Sequence, residues 1–459
     1  MIHRLIIFII FVAWISVSCR YEEEIITDNP GFSLHFSEDT ISFDTVFVSL
    51  GSITKRLTVT NPNKNAINLS KIYVGKGVQS EFEITVAGIE QNEVYNQIIL
   101  GNDSLLILVK VTINPNQENL PFVVKDSIIF LYNDKIQDIK LRSWGQNARF
   151  LGDSILTENQ IWTSEIPYFL TASILVDSLK TLTILEGARI YLSPNAAVFV
   201  QGTLHVKGSM DDRVLFRNER LEERYENVPG QWGGIYFLEG SKSNVIDFTD
   251  IRNAQYGLRI GTPDNDTIPD VVIRNTRIEN TSLGGIVAFT SDLLMENTLV
   301  NSSTGFILAN LAGGNYYYNH CTMANYASIF YRQDPSVAFS NILVLDDNSL
   351  IDEIINVTFN NSIIWGDFDE EIIINDEGES NFLITNSNSI FKTSLTIFEG
   401  DNTFLNRNTD FMKFADIESY DYTPDSLSPA IDNALTSDFI IDLFGQPRDS
   451  LPDIGAIEF

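Results

Sequence analysis

Four arginines, Arg252, Arg259, Arg274 and Arg277, stand closer together than the scattered lysines Lys242, Lys392 and Lys413 of the same region. An arginine beside a carboxylate can take part in proton transfer, and paired carboxylates can share acid and base roles. Two acid-rich stretches supply the carboxylates. "DNDTIPD" holds Asp264, Asp266 and Asp270, and "DFDEE" holds Asp367, Asp369, Glu370 and Glu371. The catalytic candidates are therefore Arg252, Arg274, Asp367 and Asp369. No cofactor is expected from the motifs; were Ca²⁺ bound, Asp264, Asp266, Asp270, Glu370 and Glu371 are its candidate oxygen ligands. Neither stretch has the glycine and terminal glutamate of an EF-hand loop, so solvated loops are the plainer reading. "HEXXH", "GXSXG", "GXXXXGK" and "CXXC" are absent, and His3, His35, His205 and His320 are isolated in sequence.

Aromatic residues offer a second handle, because their rings stack on sugars. In "YYYNH" a strand would turn Tyr316 and Tyr318 to one side and Tyr317 to the other. With Tyr331 nearby, Tyr316 and Tyr318 are the candidate carbohydrate contacts, and core packing is the competing explanation.

The elements that carry these residues begin after an export signal. Met1 to Arg4 is basic, Leu5 to Ser18 is an uncharged apolar run, and Cys19 follows in "SCRYEEE". A run of about 14 residues is short for a spanning helix but suits the apolar core of a secretory signal. "ISVSC" resembles a bacterial lipobox, with Ser16 where the pattern has leucine, which implies acylation of Cys19. "RYEEE" resembles the acidic export tag of a Gram-negative lineage that displays lipoproteins on its surface. The expectation is an outer-membrane lipoprotein, surface-exposed or periplasm-facing. Residues 1–18 would be its signal peptide and 19–31 an acidic tether. Cys321 then has no partner, so no disulfide contributes.

Thirty basic and 61 acidic side chains leave a formal charge of -31. That field repels nucleic acid, and polyanionic glycans need a bridging cation to approach.

Along the chain, alternation dominates and helical periods are nearly absent. "SLLILVKVTI" puts Leu105, Ile107, Val109, Val111 and Ile113 on one side, and "FEITV" does the same for Phe82, Ile84 and Val86. About seven such strands, separated by turns such as "NPNKN", predict a β-sandwich over 32–146. "FDTVFVSLGSITKRLTVTNPNKNAINLSKI" resembles the immunoglobulin-like modules of the abnormal-spindle and hydin type, which implies a spacer or binding platform.

Beyond Trp144 a repeat appears in "VIDFTDIRN", "VVIRNTRIEN", "LLMENTLVN", "YYYNHCTMAN", "VAFSNILVLD", "VTFNNSIIWG" and "LITNSNSIF". Taking Ile278, Val300, Met323, Val344 and Ile364 as equivalent points gives steps of 22, 23, 21 and 20 residues. Strand-length apolar pieces at that period predict a parallel β-helix, since the leucine-asparagine frame of leucine-rich repeats is missing. Asn275, Asn297, Asn341 and Asn361 fall at its corners, where asparagine tolerates left-handed backbone. Cys321 shares a register with Thr276, Thr298 and Ser362, and His320 shares one with Asn297.

"LTILEGARIYLSPNAAVFVQGTLHVKGS" and "QWGGIYF" resemble the opening rungs of right-handed β-helix lipoproteins, and "SPAIDNALTSDFIIDLFGQPRDSLPDIGAIEF" resembles the segment that closes many of them. The resemblance implies an all-β chain, with an immunoglobulin-like sandwich, a right-handed parallel β-helix over 147–410 and a closing segment over 411–459. Arg448 is expected to pair with Asp432, Asp442 or Asp453 and lock the last rung over an open sheet edge. Two functions then compete. One is a lipid-anchored protein whose β-helix is a non-catalytic binding or adhesive surface for glycans or another envelope partner. The other is a polysaccharide lyase or glycoside hydrolase, with calcium bridging an acidic substrate. The first is preferred, because no base, nucleophile or metal cluster can be traced in the sequence.

Overall fold

Every second residue of Ser104–Val111 is buried, and so is every second residue of Phe82–Val86. That alternation builds two five-stranded sheets around one apolar core that includes Ile41, Phe43, Leu57, Ile72, Ile107 and Phe130. The computed structural model describes residues 25–115, 121–262, 268–326, 331–345, 349–377 and 380–459, and their helical content is three short 3-10 turns. Cys19, and with it the lipid-attachment expectation, lies outside them. The chain divides into two units, Met1–Asn147 and Ala148–Phe459. In the first, all the expected strands form, with one pair, Thr40–Phe47 and Lys135–Gln146, parallel. Glu93–Ile99 is an addition. Its alternation is broken by Asn96 at φ 52°, so its sequence carries little strand signal.

The second unit is a right-handed parallel β-helix. Nine rungs contribute one strand to each of three parallel sheets, and two further strands extend the first, giving 11, 9 and 9 strands. These are named here in rung order as the first face (from Arg149–Leu151), the second (from Ser154–Leu156) and the third (from Gln160–Trp162). Inward columns such as Ile251, Ile278, Val300, Met323, Ile364 and Phe391 stack in register and fill the interior. Each fully buried side chain of this size contributes roughly 1.5–3 kcal/mol over exposure.

The corner between the third and first faces is two residues long, and its first position is left-handed in rung after rung. Asn275, Asn297, His320, Asn361 and Asn388 have φ of 48, 47, 48, 49 and 46°. At the next position the side chains of Thr276, Thr298, Cys321, Ser362 and Ser389 each donate to the carbonyl two residues back. Val344 and Asn341 do not belong to this repeat. Met323 pairs directly with Ile364, and Ile342–Val344 instead forms an antiparallel hairpin with Leu350–Asp352. Asn341 caps that excursion, donating to the Ser380 carbonyl. Met323 and Ile364 are 41 residues apart yet one rung apart, so the steps of 21 and 20 residues imitated two rungs.

The closing segment differs from its expected place. Rather than covering only an open edge, it lies along the outer side of the first face. Met412, Phe414, Tyr422, Leu443, Ile454 and Ile457 pack on outward residues Leu299, Ala324, Ile363, Trp365 and Ile390. Gly455 donates to the Asn361 carbonyl at 2.8 Å, and Ala456 to Thr322 Oγ1 at 3.0 Å. With φ at 108°, a side chain at Gly455 would also strike Thr322 and Ile363. Arg448 pairs with Glu458 rather than with Asp432, Asp442 or Asp453, and it donates to Asn297 at 3.0 Å.

Candidate functional site

The sequence-derived candidates disperse over the β-helix. Arg252 points outward from the first face and pairs with Glu279 at 3.1 Å, in lateral register on the next strand. Arg274 points outward from the third face and pairs with Glu296 at 2.9 Å. These two guanidiniums are on different sides of the solenoid, each neutralised across a rung, and do not form the common basic centre their sequence proximity suggested. Arg213 and Arg277 converge on Asp250 from the flanking rungs. Burial raises the Asp250 carboxyl, but the two arginines outweigh it and hold the acid below the usual range.

The "DFDEE" stretch forms the corner between the first and second faces. Glu371 is fully buried in a bidentate pair with Arg332, at 2.6 and 2.7 Å, and its oxygens also accept from the backbone N–H groups of Ser336 and Phe368. Its acceptor capacity is spent, which corrects its assignment as a calcium ligand. Asp367 reaches the same arginine at 3.4 Å, and Glu370 accepts from Ser394. Asp369 is exposed, and its backbone carbonyl accepts from Arg407. Lys392 is buried below this corner, donating to the Gly366 carbonyl, and burial lowers its ammonium pKa.

Asp264 and Asp266 lie outside the described residues. Asp270 is buried beside Asp292 and lines a hollow of about 170 Å³ at the corner between the second and third faces, with Glu353 and Asn315. Both aspartates carry structural bonds: Asp270 accepts from the Asp292 N–H at 2.9 Å, and Asp292 accepts from both nitrogens of Asn315. Among the described residues no three carboxylate, imidazole or thiol groups are arranged to hold a metal.

Tyr316 and Tyr318 are core residues, and the carbohydrate role is corrected for both. Tyr316 donates to the Gly313 carbonyl, and Tyr318 stacks on Phe359 at 4.8 Å and bonds Asn310. Burial pushes both hydroxyls far above the ordinary tyrosine range. Tyr331 is 83% exposed.

A different aromatic group does reach the surface. On the outer side of the second face, Phe199 and Tyr236 occupy register-paired positions with ring centroids 5.0 Å apart. Tyr256, on the next strand, follows at 6.0 Å in an edge-on arrangement. Arg259 takes the next place in the Tyr236 column and lies 4.9 Å from the Phe289 ring. Small residues Val287, Ala309 and Ala338 continue that column and make a floor against which Phe289, Phe306 and Leu311 pack. All five aromatic rings are half-buried, presenting part of their surface to solvent. Gly234, at φ 133° and with no room for a Cβ against the Tyr256 carbonyl, lets these strands approach. Sequence reasoning missed the group because its members sit in five strands joined by corners of unequal length. Only the alternation in "GIYF" and "AQYGLRI" hints at it.

A family model described as "Right handed beta helix region" matches residues 184–323. The second unit is thus a right-handed β-helix by both its strand pairing and its sequence. No curated protein matches the chain. Among solved structures, the ASH/PapD-like domain of human CEP192 is 11% identical, with a TM-score of 0.18, covering 28% of this chain and 94% of that domain. A family 123 glycoside hydrolase from Clostridium perfringens is 9% identical, with a TM-score of 0.19, covering 26% of this chain and 30% of the hydrolase. The E. coli chaperone DraB is 12% identical, with a TM-score of 0.17, covering 25% and 55%.

Proposed function

We propose that this is a lipid-anchored cell-envelope protein whose β-helix binds glycans on its second face without cleaving them. The observation that carries the reading is the row Phe199, Tyr236 and Tyr256, whose rings repeat at about the rung spacing beside Arg259. Phe199 and Tyr236, 5.0 Å apart, with Tyr256 edge-on at 6.0 Å, offer apolar contact to pyranose faces, and Arg259 supplies donors for their hydroxyls. Support for binding rather than cleavage comes from Arg252, Arg274 and Asp367, which are held in ion pairs at separate places on the solenoid. In this reading Cys19 is acylated and places the protein at the outer membrane. Residues 19–31 are the tether, and an immunoglobulin-like unit acts as spacer. Its partners are a glycan and the lipid of its own anchor, and the charge of -31 keeps nucleic acid away.

The test is titration of the full chain with a panel of neutral oligosaccharides, with and without calcium. Binding by the native protein, lost in a Tyr236→Ala/Tyr256→Ala variant, is expected. Release of unsaturated or reducing ends would overturn the non-catalytic reading. A Cys19→Ala protein that still partitions with membranes would overturn the anchor.

A further inference from the structure

Among the described residues, two arginines on the outer side of the first face form no ion pair, in a chain with 61 acids and 30 bases. Arg189 and Tyr191 project from the same side of Arg189–Leu192, and Tyr191 is in lateral register with Arg217 on Val214–Asn218. Arg252 follows one rung on, at the end of Thr249–Arg252. Their neighbours are neutralised: Arg213 and Arg277 by Asp250, Arg220 by Glu222, and Arg252 by Glu279. Among the described residues Arg189 and Arg217 form no ion pair. Arg217 donates from Nη2 to the Arg220 carbonyl at 3.2 Å, and its Nε is buried with no acceptor. Glu226, exposed on the adjoining loop, reaches it only through its field.

This arrangement is unfavourable as it stands. Burial is the main cause that lowers the Arg217 pKa; Tyr191 opposes it, and the like charge of Arg252 adds to the fall more than Glu226 offsets it. Burial raises the Tyr191 hydroxyl pKa, and Arg189 and Arg217 both pull against that rise. An acidic chain could have supplied a carboxylate here at little cost, yet the nearest rung carries a third arginine instead. A partly desolvated group of guanidiniums is stabilised by an anion that accepts their forked donors.

We propose that Arg189 and Arg217 form a binding site for a single acidic group, a carboxylate or a sulfate, free or carried on a sugar. The guanidiniums take the anionic oxygens, while Tyr191, buried between them, offers no ring face. The net charge of the chain selects against polyanions, so the ligand carries one acidic group only. This site is on a different sheet from the aromatic row and takes a different group, so it stands independently of the neutral-glycan reading.

The test is calorimetric titration of the full chain with methyl glucuronide, galactose 6-sulfate, inorganic sulfate and methyl glucoside. The two acidic sugars are expected to bind, more weakly as salt is raised, and methyl glucoside not to compete for the site. Arg189→Gln and Arg217→Gln should each weaken that binding about tenfold or more. Arg217→Lys, which keeps the charge and loses the fork, should give an intermediate loss, and serves in place of Arg217→Gln if that variant does not fold. Arg407→Gln, on an exposed loop, should bind as the native chain does. Equal affinity in the native and Arg189→Gln/Arg217→Gln proteins, or no binding of any of the three anions, would overturn the proposal. Inorganic sulfate binding as tightly as the acidic sugars would support a site that reads the anion alone, and weaker binding would support one that reads the sugar as well.

Discussion

The outer sides of the first and second faces both carry large apolar residues, and the two have opposite fates. On the first face Leu299, Ile363, Trp365 and Ile390 are buried beneath residues from 411–459. On the second, Phe199, Tyr236, Tyr256, Phe289 and Phe306 keep part of their surface in solvent, and their packing partners come from their own sheet. An outward apolar residue on a solenoid therefore does not by itself mark a binding surface. The deciding fact is whether a later part of the chain returns to cover it.

The sharpest break between the two faces should come from truncating one aromatic on each. Trp365→Ala removes a fully buried ring from beneath the closing segment and should cost about 3–5 kcal/mol in denaturant unfolding of the β-helix. Tyr256→Ala should cost roughly 1 kcal/mol or less while weakening glycan binding. Equal losses would erase the distinction between a covered and an open face.

The next effect is in pH. His320 is buried, accepts from Asn361 at Nε2 and donates from Nδ1 to Gly455 of the closing segment. Burial first, and Arg448 second, depress its pKa from 6.5 to about 3. Its folded value lies below its unfolded one, so the stabilisation is complete above pH 6.5 and is lost as pH falls toward 3. His320→Asn, which matches the rest of the column, should remove a slope of about 1.4 kcal/mol per pH unit across that window. The measurement is the difference in unfolding free energy between the two proteins against pH, and parallel curves would refute the assignment.

A smaller effect separates glycan affinity from stability on the second face. Tyr236→Ala should weaken neutral oligosaccharide binding by about tenfold, with the melting point within a few degrees of native. The smallest concerns Cys321, whose buried thiol is pushed up to about 12 and bonds carbonyl oxygens only. Cys321→Ser restores the hydroxyl found on other rungs and should change stability by about 1 kcal/mol or less in chemical denaturation.

Much of the fold is readable residue by residue. Ile251, Ile278, Val300 and Met323 repeat at the rung period, and Asn275, Asn297 and Asn361 occupy the left-handed corner their side chains favour. Ile363, Ile364 and Trp365 are buried in succession, as in a strand covered on both sides, which the repeat pattern alone does not single out. The site was far less legible. "YYYNH" is a strand with its alternate tyrosines inward, and local sequence does not say which parity faces the core. Arg252 and Arg274 are 22 residues apart but stand on different faces, because corner length sets which sheet a residue joins.

The sequence by itself determined an all-β chain, a parallel solenoid with its rung period and corner residues, and a strongly acidic surface. These follow from period, turn chemistry and charge, which are local or additive. Tertiary structure alone decided that the closing segment lies along the first face, that Glu371 is consumed by Arg332, and that Phe199, Tyr236 and Tyr256 share an outer side. Each of those depends on lateral register between rungs, which unequal corners and the Ile342–Asp352 excursion shift by amounts that no single repeat records.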